Sequence, residues 1–72
     1  MAVSPKLREF WNKSLSTMPK KEVQAKLRNI GVNLPTGNLS EDETRKLLYG
    51  FLARLDEPIQ EEAIQMFAKQ QI

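Results

Sequence analysis

The 72-residue chain contains neither cysteine nor histidine. Without cysteine there is no disulfide framework and no thiolate for a soft metal. Without histidine there is no imidazole to move protons near neutral pH. Glycine is scarce, and Gly31, Gly37 and Gly50 fit neither the Walker nor the dinucleotide-binding pattern that cradles phosphates. Long apolar runs are missing as well. Nowhere do the roughly 18 apolar residues of a membrane span follow one another, and residues 1–11 lack the apolar stretch of a secretion signal. A cytoplasmic or nuclear protein is expected, with no membrane attachment, metal or cofactor. Asn12-Lys13-Ser14 and Asn38-Leu39-Ser40 match the glycosylation acceptor pattern, which has no compartment in which to act without such a signal.

What is present fits a single helical domain over residues 1–72. Apolar residues make up 40% and charged residues 28%, a globular balance in place of a disordered one. A chain of this length lies near the lower limit for a self-sufficient core. The net charge of +2 is unevenly placed: residues 1–40 carry seven Lys/Arg against Glu9 and Glu22, while residues 41–72 carry four against seven acids. A basic and an acidic surface on one small body follow, either of which can face a partner.

Punctuation and periodicity predict four helices, over approximately 5–15, 19–30, 41–55 and 58–70. The first starts at Ser4-Pro5, a capping hydroxyl followed by a proline that needs no N–H partner, and places Leu7, Phe10, Trp11, Ser14 and Leu15 on one face. The second begins near Met18-Pro19, with Ser16 or Thr17 near enough to cap it, and stops at Gly31. Val23, Leu27 and Ile30 form its narrow stripe, so this helix is expected to be the most exposed. Residues 31–39 make a turn-rich loop whose Val32, Leu34 and Leu39 should lie over the core. Ser40 and Glu43 have capping-box spacing, and Glu41 and Asp42 suit the positive end of a helix dipole. Leu47, Leu48, Phe51, Leu52 and Leu55 then form a broad stripe suited to a central helix. Asp56-Glu57-Pro58 starts the last helix, with Ile59, Ala63, Met66 and Phe67 on its stripe and Ile64 at the margin. The short connection implies that the last two helices fold back on each other.

Little in the chain points to catalysis. The Glu41-Asp42-Glu43 triplet lacks the spacing and glycine turn of a cation loop, and helix capping accounts for it. The serines have no histidine to activate them. Two surfaces stand out instead. Lys20, Lys21, Gln24 and Arg28 gather on one side of the second helix, a small footprint for phosphates. Tyr49 lies about 130° from the stripe centre of the third helix, taking about 100° per residue, with Arg45 and Ala53 one turn to either side. It is a docking point unless another element covers it. Gly50 weakens the helix, which implies a close approach by the first helix or a partner. Trp11 falls within a stripe and is expected in the core.

Residues 18–55 place a short helix ending in Lys26-Leu27-Arg28-Asn29-Ile30-Gly31 before a loop containing proline and glycine, then Thr44-Arg45-Lys46-Leu47. This half of the chain resembles the LEM/SAP type of helix-extended-loop-helix module. The LEM pattern would set a tyrosine at Leu48, whereas here Tyr49 follows one residue later. The resemblance implies binding to chromatin proteins or DNA, with Lys20, Lys21, Lys26 and Arg28 as the basic set. Taken together, the expectation is a compact four-helix, all-α domain that acts as a non-catalytic interaction module, a small regulator or adaptor docking on a larger protein through Arg45, Tyr49 and Ala53. The alternative is a DNA-binding module using the basic face of helix two. Self-association is a third way for so small a core to bury apolar surface.

Overall fold

The computed structural model describes residues 3–33 and 35–69, and among them it is all-α, with four helices and no strand. Helix α1 spans Pro5–Lys13, a 3-10 turn covers Leu15–Thr17, and α2 (Lys20–Asn29), α3 (Glu41–Ala53) and α4 (Glu57–Lys69) follow. Ser4 caps α1, its hydroxyl accepting from the Lys6 backbone N–H at 3.2 Å. Ser40 and Glu43 form the reciprocal capping box of α3, at 3.1 Å and 3.0 Å. Helix α2 departs from expectation, because neither Ser16 nor Thr17 caps it. The Thr17 hydroxyl donates to the Ser14 carbonyl, closing the 3-10 turn, and Pro19 stands at the cap position. The orphan N–H of Lys20 is met from α3, by the Glu41 carboxylate at 3.3 Å.

The end of α2 is a Schellman motif. Gly31 takes a left-handed φ of +83°, its N–H donates to the Arg28 carbonyl and the Val32 N–H to the Leu27 carbonyl. This turn drives Val32 into the core beside Leu27, where both are buried. The loop therefore packs over the core at Val32, and Leu39 is half-buried. Leu34 and Gln70 lie outside the described residues.

Leu7, Leu15, Met18, Val23, Leu27, Val32, Leu48, Leu52 and Phe67 form the core, and α3 touches every other helix. Its apolar stripe is turned from the expected one. Thr44, Leu48 and Leu52 face inward, while Phe51 remains 36% exposed. Threonine is accepted there because its hydroxyl donates back to the Ser40 carbonyl at 2.8 Å. The same turn occurs in α4, where Gln60 and Phe67 are buried and Ile59 and Met66 stay 46% and 37% exposed.

Gln60 has no exposed surface, and its amide serves three segments. Its oxygen accepts from the Ser4 N–H at 2.9 Å, and its nitrogen donates to the carbonyls of Leu55 at 2.7 Å and Ala53 at 3.4 Å. The Ser4 hydroxyl reaches Glu61, and further along the Phe10 and Phe67 rings lie 5.9 Å apart. Both pairs advance along the chain together, so α1 and α4 lie side by side and run in the same direction. The short turn after α3 thus brings α4 into contact with α3 and, more extensively, with α1.

Candidate functional site

The basic face of α2 is divided by its own loop. The Lys20 ammonium donates to the carbonyls of Leu39 at 2.6 Å and Gly37 at 3.3 Å. Gln24 donates to the Thr36 hydroxyl at 2.7 Å. These two side chains anchor residues 36–39 against α2, leaving Lys21 and Arg28 exposed beside them. Lys26, which the LEM/SAP resemblance adds to the basic set, is only 5% exposed and holds its ammonium 5.4 Å from the centroid of the Phe67 ring. That cation–π contact places the charge within the fold and away from any external phosphate.

Arg45, Tyr49 and Ala53 share one flank of α3, and that flank is turned inward. The Tyr49 ring meets Trp11 edge to face with 5.3 Å between centroids. The Arg45 guanidinium donates to the Met18 carbonyl at 2.7 Å, and one of its nitrogens lies 3.5 Å from Glu41. Ala53 is half-buried and its carbonyl accepts from Gln60. The expected docking flank is thus a contact surface between α3, α1 and the 3-10 turn, with Trp11 covering the tyrosine. Sequence periodicity placed Tyr49 outside the stripe because counting Leu47 and Phe51 as core residues drew the stripe's centre away from Tyr49.

The opposite flank is open. Lys46, Leu47, Gly50, Phe51 and Arg54 line a shallow depression of about 290 Å³. A Cβ added at Gly50 would meet nothing within 4 Å beyond its chain neighbours and its own helix backbone. The expectation that α1 approaches Gly50 is therefore overturned: within this fold the glycine weakens α3 by about 1 kcal/mol relative to alanine and provides no packing in return. Lys46 pairs with Asp42 at 3.0 Å. Arg54 is exposed and forms no ion pair among the described residues.

Electrostatics elsewhere serve the helix ends. The Glu43 carboxyl is held below the usual glutamate range, first by the hydrogen bond it accepts from the Ser40 backbone N–H and then by the Ser40 hydroxyl. Among the described residues no group of three or more acidic side chains is gathered where a metal ion could sit. No helix among them is long and apolar enough to cross a membrane. Two further depressions, of about 290 and 360 Å³, sit at the low end of ligand-pocket sizes, and neither contains a pair of carboxylates. No protein family, characterised protein or solved structure matches the chain.

The exposed apolar residues Phe51, Ile59 and Met66 are the ones periodicity assigned to the core. The signals that would have corrected this are short-range. Thr44 stands four residues after the Ser40 cap, where its hydroxyl can reach back to a carbonyl, and Gln60 stands in the first turn of α4, facing the carbonyls left free at the end of α3.

Proposed function

We propose that the chain is a non-catalytic protein-binding module, a small adaptor or regulator that docks on a larger protein. The observation that carries this reading is the exposure of Phe51, Ile59 and Met66 on a body whose core is closed without them. On a chain this short, three large apolar side chains left about a third to a half exposed are incompletely buried, and association would recover the remainder. The DNA-binding alternative has less support, because Lys20 and Gln24 are occupied by the loop and Lys26 by Phe67. Lys21 and Arg28 alone give a phosphate footprint of small extent.

A pull-down from lysate, with and without nuclease, tests the reading. A specific protein retained after nuclease treatment is expected. Recovery of nucleic acid alone, or loss of all bound protein on nuclease treatment, would overturn it in favour of the basic face of α2.

A further inference from the structure

Building on the protein-binding reading, we infer that the outer flank of α3 is the docking surface and that its occupant is an amphipathic helix with acidic residues beside its apolar face. Leu47 and Phe51 stand one turn apart and provide the apolar contact, with Phe51 36% exposed. Gly50 lies between them and the cations Lys46 and Arg54, in the depression that all five residues line. Removing the side chain at this one position lets the backbone of another helix come closer than any other residue would permit. Nothing among the described residues takes that place.

Charge selects among the occupants. Lys46 and Arg54 flank Gly50 four residues away on either side, so cations bound the apolar notch along the helix in both directions. A second copy crossing antiparallel at Gly50 would set Lys46 against Arg54 at both ends. A parallel crossing would set each cation against its own equivalent. Either arrangement juxtaposes like charges, which disfavours self-pairing. A partner helix with Asp or Glu one turn to either side of its apolar contact meets both cations with the opposite sign. Of the two, Arg54 is the freer to respond, since Lys46 already pairs with Asp42 at 3.0 Å.

The experiment is selection of a random-peptide display library on the immobilised chain, followed by affinity measurement of the enriched peptides. The expected peptides carry apolar residues one helical turn apart and a net negative charge, and they lose affinity as salt is raised. Phe51→Ala should weaken them about tenfold or more. Gly50→Leu should weaken them similarly while melting no lower than the wild type. Arg54→Glu, which leaves Lys46 opposed by a carboxylate, should abolish the preference for acidic peptides in a repeated selection. No enrichment, enrichment of neutral or basic peptides, or affinity that survives both Phe51→Ala and Gly50→Leu would each overturn the inference. A dimer in sedimentation that Phe51→Ala converts to monomer would replace the acidic helix by a second copy. A protein recovered equally by wild type and Phe51→Ala in the pull-down would remove this surface while leaving the protein-binding reading intact.

Discussion

Tyr49 and Phe51 are separated by one residue on α3, yet their surroundings have little in common. Tyr49 belongs to a flank whose residues have internal uses: Trp11 meets its ring, Arg45 reaches the Met18 carbonyl, and the Ala53 backbone carbonyl accepts from the Gln60 amide. Phe51 belongs to a flank that ends in a glycine notch and two cations. A central helix touches several neighbours but cannot be covered all round by three others of this size. The difference teaches that the side left over is set by where polar core residues are accepted, and hydrophobicity alone does not determine it.

Substitution of each aromatic in turn puts this contrast to the strongest test. Tyr49→Ala is expected to cost about 2 to 3 kcal/mol, below the full range for a completely buried aromatic because the ring is half-covered. Phe51→Ala should cost less, about 1 kcal/mol, since the residue keeps 36% of its surface exposed and has no aromatic partner comparable to Trp11 among the described residues. Chemical denaturation of the two variants side by side decides the matter, and equal losses would erase the distinction between the flanks.

Gln60 offers the next largest effect, since it holds the inner flank in place from α4. Gln60→Ala should destabilise by about 2 kcal/mol, because it leaves the Ser4 N–H and the Leu55 carbonyl without their partner. Gln60→Glu sharpens the point: a carboxylate can still accept from Ser4 but cannot donate to the two carbonyls. It should be the worse variant at neutral pH and recover partly in acid.

At the start of α3 the expected effect is smaller. Ser40→Ala should cost about 1 kcal/mol through loss of the cap. The depressed Glu43 carboxyl adds a pH signature. A carboxyl whose folded value lies below its unfolded one stabilises the fold above the unfolded value, and that contribution fades as pH falls through the folded value. The wild type should therefore lose the Glu43 contribution on acidification, and Glu43→Gln should show a flatter acid limb in melts taken across the carboxylate range.

The smallest effect runs the other way. Gly50→Ala should raise stability by up to about 1 kcal/mol, because the added methyl group meets no obstacle and the helix loses its weakest residue. A drop in the melting temperature would show that the outer flank is more tightly covered than the structure gives it.

Much of this architecture was legible from residues 1–72 alone, for definable reasons. The Ser40–Glu43 box, the Ser4-Pro5 start and the Gly31 stop are local signals whose geometry depends on a few adjacent residues, and all three stand where the sequence put them. The rotation of α3 and α4 was not legible. Periodicity counts apolar residues, whereas Thr44 and Gln60 enter the core by satisfying their polar atoms on nearby carbonyls. The cations of α2 were visible as charges, but their use was not. Whether Lys20 faces solvent depends on where the carbonyls of Gly37 and Leu39 come to rest, which is a property of the folded loop. For Arg45, Tyr49 and Ala53 the shared helix flank was legible, whereas the cover that Trp11 and the Met18 carbonyl give to it was not.

The seam between Ser4 and Gln60 joins residues separated by 56 positions, whereas the α2–loop contacts close over much shorter spans, as between Gln24 and Thr36, 12 positions apart. Short closures come at lower entropic cost and form early, while the long one waits for the rest of the chain. During synthesis, α2, the loop and α3 can therefore assemble before α4 exists. In that interval α1 has no partner for Phe10 and no Gln60 to meet the Ser4 N–H. A nascent chain at this stage shows water the inner faces of α1 and α3 together with the outer flank, and the arrival of α4 covers the inner faces while the outer flank stays open.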